Sequence, residues 1–571
     1  MIRQNVIDVS AALQSRAKGL VQRAKRTPPA ETTRGSSSDL RSRARGRAST
    51  EQRRGAGARE PRVDLRDRVT EFFIQHRWAI VVPLVLPVSK AYDLYWTARH
   101  VYYRNLRNAA ASHDRRVARV VEQLQQWNAQ GRPGPLHTSR KSWQSVAVRA
   151  IEYKQHKAGA IDVDLHDVLE LDTERGIVRV EPRVNMGQLT RWLASKGWTV
   201  PVVPELDDLT VGGLLLGYGV ESSAHKYGLF ADTVVAAQVV LADGSVVRAS
   251  ATEHADLFHA LPWSYGALGF LTAVELRVIP AKPYVRVTYE PVLGLGAICA
   301  RFTQLCTART PPEFLEVLFF ERECAVIVHG DFAERPEGAP VNHIARFYKP
   351  WFHKHIESFL KRGIGSEHLP LRDYYHRYTR SLYWHGELLV PFGNHPLFRY
   401  TLGWLMPPKV SLMRLTQTER VRKYRDERNV VQDALVPIRL LREGIEMFHR
   451  EFECYPLWIC GHRAMRSEPR GMIGPSLPER NEEMFVDIGA WQVPRFVKRK
   501  EAWNGRDAVR RMESWLRAHD AYQCLYAVTE QTREEFWQMF DRTLYERVRS
   551  KYGAEGAFMD VYDKVKRPEQ G

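Results

Sequence analysis

The stretch PELDDLTVGGLLLGYGVES, residues 204–222, sets Gly212, Gly213, Gly217 and Gly219 into an otherwise apolar run. Glycine costs stability relative to alanine inside a helix or strand, so four of them this close together need a backbone reason. Either another segment packs very near, or a ligand touches the main chain. A dinucleotide fingerprint would read GxGxxG after a strand, with an acidic residue about 20 positions on. Neither Gly217-Tyr-Gly219-Val-Glu-Ser222 nor Gly294-Leu-Gly296 completes that pattern. What the segment does offer is a run of side-chain-free positions whose N–H groups can approach a phosphate, with the hydroxyls of Ser222 and Ser223 as donors.

The flanking pattern predicts an α+β fold. Valines, Leu124 and Trp127 in HDRRVARVVEQLQQWNAQG mark one helix face, closed by the breaker GRPGP. From 143 to 280, strand-like runs (SVAVR, IVRVEP, TVVAAQVV, SVVRAS, GFLTAVELRVIPA) mix with helical ones (MGQLTRWLASKGW, EHADLFHAL), without regular βαβ repetition. Asp243-Gly244 predicts a hairpin turn. Beyond Pro283 the strands lengthen (YVRVTYEPV, LEVLFFE, CAVIVHGDF, VVQDALVP, MFVDIGAW), and helices around TREEFWQMFDRTLYERVRSKYG follow. Two folded domains are expected, at 105–281 and 282–535, with residues 536–571 returning to the first.

The chain carries 84 Lys and Arg against 66 Asp and Glu. Residues 1–70 hold 15 Arg and 2 Lys against 7 acidic residues, a surplus of 10 of the net +18. That tail is rich in Ser, Gly and Ala and poor in large apolar groups, so it is expected to be disordered. Residues 72–104 are apolar and aromatic. Their uninterrupted core, Trp78 to Val88, is about half the roughly 20 residues of a spanning helix, and Pro83 and Pro87 disfavour a straight one. Aromatic residues on both sides, with Arg77, Lys90, Arg99 and Arg104, fit a membrane segment lodged at the lipid interface, a spanning helix with Lys90 snorkelling, or a buried helix. Six cysteines without CxxC or zinc spacing read as reduced, mostly core thiols, and no metal site is expected.

The order Thr210-Val-Gly-Gly, Gly217-x-Gly219, His225-Lys-Tyr-Gly228, LADG, DLFHAL and Gly266-Ala-Leu-Gly269 resembles the flavin domain of the vanillyl-alcohol-oxidase (PCMH-type) FAD proteins. The motifs PELDDLTVGG, ESSAHKYGLF, PLRDYYHRYTRS, PFGNHPLFRY, MPPKVSL, VVQDALVP, EEFWQMFD and VYDK further resemble the Δ24-sterol reductase (Diminuto-type) family over roughly residues 72–565. The resemblance implies a PCMH-type FAD-binding domain and a second α+β substrate (cap) domain. It also implies FAD and NADPH as cofactors, a sterol substrate and the endoplasmic reticulum membrane; nucleic acid is not an expected partner, and oligomeric state stays open. The implied cofactor contacts are Thr138, Ser139, Arg140, Lys141 and Ser142 in a phosphate loop. To these it adds Thr210, Val211, Gly212, Gly213, Leu214, Leu215, Leu216, Gly217, Tyr218, Gly219, Val220, Glu221, Ser222 and Ser223, then Gly266 and Gly269. The loop contains no histidine, and His137 only precedes it, so non-covalent FAD is expected.

An isolated trisubstituted alkene has no conjugated carbonyl to accept charge, so its reduction needs an acid. The catalytic candidates are Asp433, which interrupts the apolar strand VVQDALVP, and Tyr375 and His376 in YYHRYTR; Asp487 in FVDIGAW raises the same question. Glu205, Asp207 and Asp208 read as caps and turn groups. Two other readings remain at this point: an oxidase or dehydrogenase of the same fold acting on a polar alcohol, with 72–103 as a buried helix, and a cofactor-less scaffold with a basic tail.

Overall fold

The computed structural model describes residues 72, 76–106, 109–145, 151–155, 157–338, 340–415, 421, 425, 427–477 and 479–567. The tail at 1–70 and the strand expected at 146–149 lie outside the described residues. The chain divides into a unit Met1–Ile74, in which only Phe72 is described, and a unit Gln75–Gly571 that carries the sheets.

Helix α1 (Leu86–Leu106) follows one α-helical turn at Trp78–Ile80 and a π-helical turn at Val81–Val85. The prolines expected to break this segment are absorbed instead. The wider turn falls on Pro83, where a missing N–H would interrupt an α-helical ladder. Among the described residues no helix is long and apolar enough to cross a membrane. Helix α2 (Ala109–Ala129) buries Val117, Val120, Leu124 and Trp127 at the spacing the sequence predicts.

The first sheet is built from β3 (Val168–Asp172), β4 (Ile177–Val180), β5 (Val234–Val240), β6 (Val246–Ser250) and β7 (Phe270–Arg277). Its order is β3-β4-β7-β5-β6, antiparallel throughout. A short parallel pair, β1 (His137–Thr138) with β2 (Ala160–Ile161), lies before it in the chain. The β5–β6 turn is the Asp243-Gly244 hairpin: Gly244 has φ +90° and the Asp243 carboxylate accepts from the Ser245 amide at 2.8 Å. Between β4 and β5 lie α3 (Met186–Ala194) and α4 (Val211–Leu216), the latter formed by the glycine segment.

The second sheet has eight strands: β8 (Tyr284–Leu293), β9 (Phe314–Glu321), β10 (Cys324–Ala333), β11 (Gly365–Pro370), β12 (Val430–Pro437), β13 (Leu457–Met465), β14 (Glu482–Gln492) and β15 (Tyr522–Gln523). They run in the order β11-β8-β10-β9-β13-β14-β12-β15, again antiparallel. Apolar side chains of both sheets merge into one continuous core. Through it runs a buried ionic cluster. Arg377 donates to Glu221 at 2.6 Å and to both Glu316 oxygens at 2.9 Å, and Trp458 and Tyr378 donate to Glu316 at 2.7 and 3.1 Å. Burial opposes the Arg377 charge, and the carboxylates of Glu221 and Glu316 outweigh it. Helix α5 (Thr543–Lys551) then brings the chain back to the first sheet. Arg549 donates to the Ala267 carbonyl and Lys564 to that of Gly266, at 2.9 and 2.8 Å, while the Leu136 amide donates to Ala557. All six cysteines are free, four of them buried.

Candidate functional site

The four glycines of the opening stretch have two different reasons to be glycine. A Cβ on Gly212 would sit 2.8 Å from the Pro182 side chain, whose carbonyl accepts the Gly212 amide. One on Gly219 would meet Leu214 and Phe230 at 2.9 Å, and one on Gly217 the Gly213 carbonyl at 2.7 Å. These three are close-packing positions. Gly213 is exposed, and a Cβ there would meet only the Thr210 hydroxyl, which caps α4 by accepting the Gly213 amide. Gly213 is thus the position of the four at which a ligand can approach the main chain. Gly266 needs its left-handed φ of +72°, whereas Gly269 is held free of a side chain by Val239, 2.5 Å from where a Cβ would fall.

The structure corrects several expected contacts. Ser222 is bonded to the Tyr374 phenol (3.1 Å) and Ser223 to the Pro201 carbonyl (2.8 Å), both fully buried, so neither hydroxyl is presented to a ligand. Val211, Leu214, Leu215 and Val220 belong to the core, and Glu221 to the Arg377 cluster. Glu205 is no surface cap. It is buried, and burial together with the nearby Glu221 charge raises its carboxyl well above the usual range. Asp207 pairs with His376 at 2.6 Å and Asp208 with Lys409 at 2.6 Å.

In the loop after β1, Lys154 donates to Thr138 (2.8 Å) and Ser139 to Asp162 (3.2 Å), while Lys141 is exposed and Ser142 opens a 3-10 turn. Arg140 donates to the Gln144 carbonyl at 2.6 Å. Arg140 and Thr210 line one cleft of about 350 Å³, with Arg183, Asn185, Gln188, Lys90 and Trp96 of α1, and the carboxylates of Asp93, Asp207 and Asp208, of which Asp207 is paired with His376 and the other two with Lys409. Burial and the Arg183 charge lower Arg140 to about 10, and burial lowers Arg183 as well. Two guanidinium groups are therefore held near each other, bonded to carbonyls of Gln144 and Val163 rather than to carboxylates. A dianionic pyrophosphate would relieve that repulsion. With Gly213 exposed and free of a side chain on the helix that Thr210 caps, these guanidinium groups fit FAD. Arg183 was not legible as a member, because EPRVN carries no spacing signal.

The second sheet supplies the acidic groups. Asp433 of β12 stands opposite Gly489 of β14, and Asp487 lies two residues from Gly489, so both carboxylates share one face. A side chain on Gly489 would meet Asp433 at 2.9 Å and the Trp491 ring at 2.7 Å. Oxygens of Asp433 and Asp487 and the Cys524 thiol lie within 4.8 Å of one another, all buried. Tyr218, from the glycine segment, donates to Asp487 at 2.9 Å, and Tyr526 hydrogen-bonds Asp433. One oxygen of each carboxylate has no hydrogen-bond partner, and no cation pairs with either among the described residues. Burial, and for Asp433 the adjacent Asp487 charge, raises both carboxyls, so the pair retains a proton at neutral pH. The alternation Asp487, Gly489, Trp491 was the signal in the sequence for this face; Tyr526 and Cys524 gave none.

Tyr375 and His376 are not brought to this pair. The Tyr375 phenol accepts from Thr199 at 2.9 Å, and His376 is held by Thr190 (2.8 Å), the Glu205 carbonyl (3.0 Å) and Asp207. As alternatives to Asp433 for the acid they stand apart from the Asp433–Asp487 pair, each already hydrogen-bonded to these partners.

A glycine-bearing helix start beside paired arginines, on an antiparallel sheet without a Rossmann unit, defines an FAD-binding flavoprotein domain. Residues 140–250 match a family profile described as FAD binding domain. The chain is 46% identical to the human Delta(24)-sterol reductase over 498 residues, covering 87% of this chain and 94% of that protein. It is 42% identical to the pea Delta(24)-sterol reductase, with 87% and 92% covered, and 39% identical to a Delta(24)-sterol reductase homolog of Caenorhabditis elegans, with 88% and 97% covered. The chain belongs to the Delta(24)-sterol reductase family.

Proposed function

We propose that this chain reduces the Δ24 side-chain double bond of sterol intermediates in sterol biosynthesis, with FAD bound non-covalently and NADPH as electron donor. The observation that carries this reading is the likeness to Delta(24)-sterol reductases along nearly their whole length. Residues 105–281 would form the cofactor domain, 282–535 the substrate domain and 536–571 the return to the first. Residues 72–104 would hold the protein to the endoplasmic reticulum membrane.

Arg140, Arg183, Thr210 and Gly213 would hold FAD, which when bound supplies hydride transfer between nicotinamide and carbon. The chain's own task is the proton. Donation to C24 leaves the positive charge on tertiary C25, the more stable of the two positions, and water must be kept from it. The Asp433–Asp487 pair carries that proton at neutral pH, because burial disfavours the charged carboxylates. Tyr218 orients Asp487 by donating to one of its oxygens, and the other has no hydrogen-bond partner among the described residues. Trp491, which donates to the Tyr526 phenol at 2.6 Å, and Tyr526 wall Asp433 with aromatic surface that excludes water.

Incubation of the protein in membranes with desmosterol and NADPH, followed by sterol mass analysis, tests substrate, reductant and reaction together. A product two mass units heavier, formed only with NADPH, is expected. Absence of that product, with flavin bleached by a polar alcohol instead, would replace this reading with the oxidase one.

A further inference from the structure

The segment 78–95 shows one face to the protein and the other to its surroundings. Val81, Val85 and Leu86 are buried in one cluster with Trp351, Val390, Leu405 and Met413, and buried Ser89 accepts the Lys409 amide at 2.9 Å. On the opposite side Leu84 is 59% exposed and Leu94 63%, with Ile80, Val88 and Tyr95 beside them in sequence. This apolar stripe does not end with the helix. Trp78 packs edge-on against Phe392, centroids 5.4 Å apart, and Phe392 in turn meets Phe398 at 5.5 Å. Around the short helix Pro396–Thr401, Leu397 is 69% exposed and Tyr400 66%, with Leu402 and Trp404 also exposed. Tyr400 stacks on exposed Tyr348, extending the patch to a third segment.

The unpaired charges of these three segments have one sign. Asp93, the one carboxylate within 78–95, is paired with Lys409 at 2.7 Å, and residues 346–354 and 391–413 contain no Asp or Glu, while Lys90, Arg346, Lys349 and Arg399 stand among the apolar groups. A second copy of the same face would bring those cations against their own kind. A bilayer with anionic headgroups meets both features, because aromatic and aliphatic groups enter the upper acyl layer while Lys and Arg stay among phosphates.

We propose that residues 346–354 and 391–404 form the second half of a membrane-docking face whose first half is 78–95, and that its partner is the surface of an anionic phospholipid bilayer. The protein would lie on the membrane by this composite face. The proposal extends the membrane role of 72–104 to a patch assembled only by folding, and it does not depend on the catalytic reading, since vesicle binding requires neither sterol nor NADPH.

The test uses the full-length protein and flotation with vesicles of phosphatidylcholine containing about one quarter phosphatidylserine. Replacing Leu397→Ser, Tyr400→Ser and Trp404→Ser together is expected to lower partitioning about tenfold or more, at unchanged flavin content. Flotation equal to the unaltered protein would overturn the proposal. So would a vesicle-free dimer that the triple variant converts to monomer, since the face would then cover a second copy. If the triple variant loses flavin, Trp404→Phe decides. Brominated lipid should quench the tryptophan emission of the unaltered protein more than that of Trp404→Phe, and equal quenching would again overturn it.

Discussion

Asp433 and Asp487 are only 3% and 0% exposed, yet among the described residues no positive group balances them, so their proton is a property of position. Asp433→Asn keeps the shape and should retain FAD, while sterol product falls about 100-fold or more and flavin reduction by NADPH persists. Stopped-flow bleaching followed by sterol analysis separates the two half-reactions; normal turnover would make Asp433 structural. Burial lifts Asp487 to about 8, which fixes a pH trend. Its stabilising contribution is whole below the ordinary carboxylate range near about 4 and is lost as pH rises through the raised value. Asp487→Asn, which cannot ionise, should therefore gain thermal stability relative to the unaltered protein as pH goes from 5 to 9. A difference in melting temperature that does not change with pH would contradict this. Gly213 and Gly219 separate in the same way. Gly213→Ala should fold normally and weaken flavin binding, whereas Gly219→Ala drives a Cβ into Leu214 and Phe230 and should cost about 1–3 kcal/mol in urea unfolding.

At the scale of the element, helix α1 is held by the Asp93–Lys409 pair, by Trp96 against His166 and by a buried leucine. Leu86, fully buried among Trp351, Leu405 and Met413, anchors it, so Leu86→Ala should cost about 2–5 kcal/mol, read as a fall in melting temperature or as earlier protease cleavage near residue 90. Strands with a two-residue period and the Asp243-Gly244 turn were legible because each element's signal is local. The path of the helix through Pro83 and Pro87 was not, since a π-helical turn leaves no compositional trace. Nor was β13, whose LWICGHRAM is buried on almost every residue and so lacks alternation. The phosphate loop and glycine segment could be found by motif. That Ser222 faces Tyr374, and Tyr375 faces Thr199, could not be read, because those partners lie 152 and 176 residues away.

Across the whole molecule, Arg377 joins the glycine segment to the second sheet through Glu221 and Glu316. Arg377→Met would leave two carboxylates buried without their cation, a loss of about 3–5 kcal/mol, and should release flavin along with stability. Retained flavin at full melting temperature would show that the two sheets are joined by apolar contact alone. Residues 543–567 return to Ala267, Gly266 and Leu136. A ribosome emits these residues long after Arg277, where the last strand of the first sheet ends. The sheet that would receive the cofactor therefore waits for its covering contacts while more than 250 further residues are made, although its own strands have all emerged. Cofactor loading becomes an event that follows synthesis of α5, and a premature stop codon just upstream of α5 would yield a protein with every glycine and arginine of the site in place and nothing to close it.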